Sequence, residues 1–343
     1  MNSRPPGSAP RKPTARRSSP SRHTRIRGPR AAHGGRSVCP RCRRTNRCVR
    51  PELSSTRARP ISEQVGSAVS FDGRVALITG GSQGVGYATA ALLKEKGASG
   101  LLLVGRDGAK GEAAAASLTG DGCRAVFVSV DLADADAPER CVAAADETFG
   151  TLHATVNCAA ATFRGSVWNS TAAMWDEMMA LNVRAACLVA QESAKLMVRE
   201  AVDGSIVLIG SVARHGGAPN LLPYSASKMA LVAATRNMAF TLMRHRVRVN
   251  MLNPGWMDTP AEDITQRRYE GATDGWLERA EAVQPMGKLI KPDEIAHTIV
   301  HLCSPESGFL TGQDIDWDQT ILGVAAEPRP GPELGELPPE LRA

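Results

Sequence analysis

From about residue 70 onward, short unbroken apolar runs alternate with longer stretches of helical spacing. The runs Arg74–Thr79 (RVALIT), Leu101–Val104 (LLLV), Ala125–Val130 (AVFVSV), His153–Val156, Ser205–Ile209 (SIVLI), Val247–Leu252 (VRVNML) and Asp314–Trp317 read as strands. The intervening segments 85–97, 109–118, 138–149, 172–200, 224–243 and 292–302 read as helices. LLLV and SIVLI lack polar alternation, as strands covered on both faces do. Regular strand–helix alternation predicts an α/β fold: one doubly wound parallel sheet of about seven strands, with helices on both faces.

The two ends differ from this body. Residues 1–60 are rich in Arg, Pro, Ser and Gly, show no apolar periodicity, and carry sixteen arginines and Lys12 against one acid, Glu52. Such a segment cannot bury enough surface to offset chain entropy, so disorder is expected over 1–69. Its composition fits a basic arm, an organelle transit peptide, or a segment outside the native protein with translation starting further in; composition favours the last. The domain is expected over 70–325, and the Pro-, Gly- and Glu-rich 326–343 as a mobile tail.

Charge follows the same division. The whole chain has a net charge of +6, but the N-terminal arm contributes so many cations that the body is acidic. An acidic body argues against nucleic acid as its main partner. No apolar run is long enough to span a bilayer and no secretory leader is evident, so a cytoplasmic location is expected. Cys123, Cys141, Cys158, Cys187 and Cys303 lie among apolar neighbours and read as reduced thiols. Cys39, Cys42 and Cys48 form only one hook, where structural zinc sites usually pair two, so no metal is expected.

Two constellations carry chemistry. Thr79, Gly80, Gly81, Ser82, Gln83, Gly84, Val85 and Gly86 follow the first strand and open the first helix. Glycines there allow a sharp turn and close approach to a pyrophosphate, which the helix N-terminus attracts. The second strand ends Val104-Gly105-Arg106-Asp107. An acid at that end binds the ribose of NAD; with Gly105 there and Arg106 next, NADP is favoured over NAD, with Asp107 as the residue that could reverse the preference. The other constellation is Tyr224 and Lys228, one helical turn apart behind Pro223. An ammonium beside a phenol favours the phenolate and would tune the tyrosine for proton transfer. Ser211 ends the fifth strand, where side chains face the ligand crevice, and Asn182 lies in the long helix before it.

Glycine turn, Asn, Ser, Tyr and Lys, in this order and spacing, resemble the short-chain dehydrogenase/reductase family over about residues 70–325. The resemblance implies a Rossmann-type enzyme that interconverts a carbonyl and a secondary alcohol by hydride transfer. Tyr224 would be the acid/base, Lys228 would tune it and bind the nicotinamide ribose, Ser211 would orient the substrate oxygen, and Asn182 would hold a water. Asp131 and Leu132 would meet the adenine; Asn157, Pro254, Gly255 and Thr259 would complete the cofactor site. The family often has Asn-Asn-Ala-Gly after its fourth strand, where this chain has Asn157-Cys158-Ala159-Ala160, placing a methyl near the cofactor. A homodimer or homotetramer through helices 172–200 and 224–243 is also implied.

Residues 258–286 break the strand–helix rhythm and resemble the family's substrate lid. Trp256, Met257, Arg214 and His215 are further candidates for the pocket. The polar lid favours a hydrophilic substrate such as a sugar, a polyol or another small polar ketone. A cofactor-binding regulatory protein with a nucleic-acid-contacting arm is the alternative from another class, and an enoyl reductase the alternative among enzymes; Ser211 with the Tyr–Lys pair favours carbonyl chemistry.

Overall fold

A computed structural model describes residues 69–321. The expected disorder of the N-terminal arm (all but Val69), its cysteine hook and the tail at 326–343 lie outside the described residues.

Seven strands form one parallel sheet in the order β3-β2-β1-β4-β5-β6-β7. They are β1 (Val75–Thr79), β2 (Gly100–Gly105), β3 (Arg124–Ser129), β4 (Ala154–Asn157), β5 (Ser205–Ile209), β6 (Arg248–Pro254) and β7 (Asp314–Trp317). The helices are α1 (Gly84–Glu95), α2 (Gly108–Leu118), α3 (Ala137–Phe149), α4 (Ala172–Met179), α5 (Ala186–Arg199), α6 (Leu222–Leu242), α7 (Pro260–Tyr269), α8 (Trp276–Ala282) and α9 (Pro292–Cys303). This is the doubly wound sheet that the apolar pattern predicts.

Alternate residues of each strand enter opposite layers, because the side-chain period of a strand is two. Ala76, Ile78, Leu101, Leu103, Val207 and Ile209 pack with α1, α2 and α9. Val75, Leu77, Leu102, Val104, Ile206 and Leu208 pack with α3, α5 and α6. Leu77, Leu102 and Leu208 are fully buried, each stabilising the fold by about 1.5–3 kcal/mol. The crossovers end on stereochemical stops: α3 closes at Gly150, whose φ of 69° suits the left-handed cap that glycine takes without strain.

The expected long helix over 172–200 runs unbroken from α4 into α5, and it contains a π-helical turn, Ala180–Ala185, that the apolar pattern does not predict. An extra residue within a turn rotates the side chains that follow, and such insertions concentrate at functional sites. Asn182 lies within this turn.

Register brings the functional strand ends together. Thr79 pairs with Val104 on one side and with Asn157 on the other. Strand order reverses between β1 and β4, which opens a crevice beyond their carboxyl ends.

Candidate active site

A cleft of about 1070 Å3 crosses these carboxyl ends. One half is built from backbone. Gly80 and Gly84 have φ of 66° and 54°, which side-chain-bearing residues rarely adopt. A Cβ on Gly86 would stand 2.3 Å from the carbonyl oxygen of Gly80. The Gln83 side chain does not cap α1, and no acid lies in the helix's first turn. The first amides and the positive end of the helix dipole therefore face the cleft without a protein anion. Gly80, Ser82, Gln83, Gly84, Val85 and Gly86 all line it. Thr79 is buried beneath the turn, where its hydroxyl accepts from the Ala159 amide at 3.2 Å. A close-approaching backbone with unspent amides fits a dinucleotide pyrophosphate.

The far end of this half is basic. Arg106 follows β2 with its side chain 70% exposed, 3.9 Å from Asp131. So exposed an ion pair stabilises little and is readily exchanged for another partner. Asp107, which could have reversed the cofactor preference, instead caps α2 by accepting from the Lys110 amide at 3.1 Å. Lys110 itself lines the cleft beside Arg106, a second cation that sequence reasoning missed. Asp131 and Leu132 also line it. Pro254, Gly255 and Thr259 form the opposite wall; a Cβ on Gly255 would fall 1.7 Å from an Asp318 side-chain oxygen, so a larger residue there requires Asp318 to turn away.

Ser211, Tyr224 and Lys228 meet in the middle of the cleft. Lys228 is buried and donates to the Ile209 carbonyl at 2.9 Å, with its Nζ 5.6 Å from the centre of the Tyr224 ring. Burial pushes the lysine down to about 8. The expected depression of the tyrosine is not what the structure shows: burial raises the phenol, and the Ser211 hydroxyl is the largest opposing influence. At neutral pH Tyr224 is therefore protonated and set to donate.

Asn182 and Asn157 do not line the cleft. Asn182 is 1% exposed and its side chain accepts from the Ala161 amide at 2.7 Å. Its Nδ2 donates to the Ala161 carbonyl at 3.0 Å and to Ser227 Oγ at 3.1 Å. Ser227 Oγ in turn donates to the Tyr224 carbonyl at 2.7 Å. The π-helical turn thus aims Asn182 as a brace between the loop after β4 and the first turn of α6. Asn157 faces α5, 3.5 Å from the Ala186 carbonyl. Ala160, in place of the family's glycine, lines the cleft.

The other half is built from side chains. Trp256 and Met257 line it as expected, but Arg214 and His215 do not. Arg214 is buried against β7, 2.9 Å from Asp314 and 2.8 Å from Asp316, and His215 is 2.8 Å from Asp316. Buried charge must be paired, and the acids a hundred residues away supply the pairing. In their place Arg164, Asn220, Glu262, Gln266 and Glu270 line the cleft. Glu262, Gln266 and Glu270 recur at four-residue spacing, one face of a helix, a signal available in the sequence. The lid itself is helical: α7 starts at Thr259, whose hydroxyl accepts from the Glu262 amide at 3.0 Å. Trp256 and Trp276 stack at 6.3 Å beneath it.

Among the described residues, no helix is long and apolar enough to cross a membrane, and no three metal-ligating side chains converge. A parallel sheet, a glycine turn at the reversal of strand order and a Tyr–Lys pair beside a serine define a Rossmann-type NAD(P)-dependent oxidoreductase. A family model described as enoyl-(acyl carrier protein) reductase matches residues 80–319. The chain is 32% identical to the short-chain reductase protein NovJ of Streptomyces niveus, covering 71% of this chain and 92% of that one. It is also 32% identical to an NADP-dependent (R)-specific alcohol dehydrogenase of Lentilactobacillus kefiri, covering 71% and 94%. A solved dehydrogenase/reductase from Sinorhizobium meliloti superposes with a TM-score of 0.65 at 30% identity, covering 73% and 96%. The chain belongs to the short-chain dehydrogenase/reductase family.

Proposed function

We propose that the protein is an NADP-preferring carbonyl reductase or alcohol dehydrogenase in which Tyr224 is the general acid/base. The observation that carries this reading is the convergence of Ser211, Tyr224 and Lys228 in the same cleft as the uncapped amides of α1. The bound dinucleotide supplies or accepts the hydride. In reduction, Tyr224 Oη gives its proton to the substrate oxygen as charge develops there, and the Ser211 hydroxyl orients that oxygen. Lys228 holds positive charge near the ring and would bind the nicotinamide ribose when the dinucleotide is present. Asn182 acts through Ala161 and Ser227, positioning the first turn of α6. Arg106, with Lys110 behind it, supports the choice of NADP, since a guanidinium pairs well with a phosphate. The name of the Lentilactobacillus relative agrees with that choice.

Ser211 beside the phenol favours a carbonyl over an enoyl substrate, because a second hydroxyl serves an oxygen that gains charge. The polar cleft around Arg164, Asn220 and Gln266 supports a small polar ketone, sugar or polyol as substrate. The apolar groove between α5 and α6, lined by Leu188, Val198, Met238 and Leu242, supports association of copies through these helices. A cytoplasmic location is consistent with free thiols at Cys123, Cys141, Cys158, Cys187 and Cys303.

The test is titration with NADPH and NADH followed by turnover of a ketone panel. Tyr224→Phe is expected to lower kcat roughly 100-fold or more while NADPH still binds. Arg106→Ala is expected to weaken NADPH about tenfold and leave NADH nearly unchanged. Binding without turnover of any ketone, indifferent to Tyr224→Phe, would favour a regulatory cofactor-binding protein.

A further inference from the structure

We propose that Glu262 and Glu270 read hydroxyl groups on the substrate, so that the enzyme accepts neutral polyhydroxylated ketones and alcohols and rejects anionic ones. The inference rests on the reading of Tyr224 as the acid/base of the same cleft, and assigns specificity to two residues of the lid.

Each carboxylate is pinned by one oxygen. Glu262 Oε1 accepts from Trp256 Nε1 at 2.9 Å and from Gln266 Nε2 at 2.7 Å. Glu270 Oε1 accepts from Arg164 Nε at 2.6 Å and from Asn220 Nδ2 at 2.9 Å. Among the described residues, no donor bonds to Oε2 of either glutamate, though both side chains line the cleft. An ionised carboxylate only accepts hydrogen bonds. Two acceptors of fixed position, with their orienting bonds already made, suit groups that donate, and alcohol hydroxyls are such groups. Hydrogen bonds to a carboxylate are also stronger than those between neutral partners.

Charge decides against the opposite reading, in which Arg164 binds an acid. Its Nε is held by Glu270, its Nη1 donates to the Thr162 carbonyl at 2.9 Å, and its Nη2 lies 4.0 Å from Glu262. One guanidinium between two carboxylates leaves this wall net negative. Arg164 and Glu262 are both under one-fifth exposed, so water screens the wall poorly. Lys228, the remaining cation nearby, is directed at the Ile209 carbonyl. Glu262 and Arg164 push the Tyr224 phenol in opposite directions, so their fields reach the reacting centre. A carboxylate or phosphate on the substrate would meet like charge there.

The full chain with NADPH should be assayed on three ketones of four or five carbons: erythrulose, 2-butanone and levulinate. Erythrulose is expected to exceed 2-butanone in kcat/KM by about tenfold or more, and levulinate to fall below it. In the Glu262→Gln/Glu270→Gln variant, and more weakly in Glu262→Gln alone, both preferences should shrink towards parity. Levulinate as the best substrate, or preferences unmoved in a folded variant, would overturn the proposal. If NADPH binds and none of the three is reduced, the ketone panel and Tyr224→Phe decide the catalytic reading, and ligand-observed NMR decides specificity independently of turnover. Erythritol bound in competition with succinate, and lost in the double variant, upholds the hydroxyl-reading wall; succinate bound preferentially, or neither bound, refutes it.

Discussion

The two halves of the cleft are made of different material. The cofactor half is backbone: the turn after β1 depends on positive φ at Gly80 and Gly84 and on the missing Cβ of Gly86. The substrate half is side chain. Arg164 ties the loop after β4 to the end of α7 through Glu270, and Asn220 joins the same carboxylate from the loop before α6. Farther out, Lys291 ties Asp258 to Glu281 at 2.9 and 2.7 Å. A pyrophosphate is the same group in every dinucleotide, so a rigid backbone cradle can serve it. A substrate pocket held by exchangeable ion pairs can be rebuilt by substitution without unfolding the sheet. Ser211, Tyr224 and Lys228 lie where the halves meet, because the hydride must cross between them.

Breaking the backbone half should have the largest effect. Gly86→Ala puts a methyl group 2.3 Å from the Gly80 carbonyl oxygen, a contact that only movement of the turn can relieve. NADPH affinity should fall by roughly 100-fold or more, read by fluorescence titration, as the helix amides move off the pyrophosphate. An unchanged affinity would show that the turn is softer than its geometry.

Breaking the side-chain half should be milder and confined to it. Arg164→Met removes the bond to Glu270 while keeping an aliphatic stem. Ketone KM should rise about tenfold, with the NADPH dissociation constant unchanged. An equal loss in both would mean that the halves are coupled through the lid and that the division is wrong.

The smallest effect should leave both halves intact. His153 sits at the opposite, amino-terminal end of the sheet, where its Nδ1 accepts from the Val75 amide at 3.1 Å. Burial, helped by Arg74, pushes this imidazole down to about 4. The unfolded chain therefore binds a proton at higher pH than the folded one. Its contribution to stability is complete above the ordinary histidine range near 6.5 and is lost as pH falls from there towards about 4. Thermal melts should show Tm declining over that window, less steeply in His153→Asn, with the preference among ketones unaffected.

The contrast between the halves also explains what could be read in advance. The seven strands, the crossovers, the glycine turn and the Tyr224–Lys228 step depend on residues near one another in sequence, where backbone stereochemistry and the periods of helix and strand apply directly. Arg106 was legible for the same reason, following β2 immediately. The π-helical turn at Ala180–Ala185 was not legible, because it leaves the apolar period of the helix on either side almost unchanged. Arg214 and His215 were misplaced in the pocket because their partners, Asp314 and Asp316, come from β7. The rise rather than fall of Tyr224 has the same origin: spacing reports the neighbouring ammonium, whereas burial belongs to the assembled cleft.

The sequence by itself determined the doubly wound sheet, the glycine turn after its first strand, and the residues that face one another across a single helical turn or strand end. Those follow from local geometry, which every α/β crossover obeys. Only the tertiary structure decided that Asn182 braces Ala161 and Ser227, that Asp107 is spent on a helix cap, and that Arg164 meets Glu262 and Glu270 across the mouth of the cleft. A charged or amide side chain can satisfy its bonds with many partners, and which one it takes is settled only when distant segments pack together.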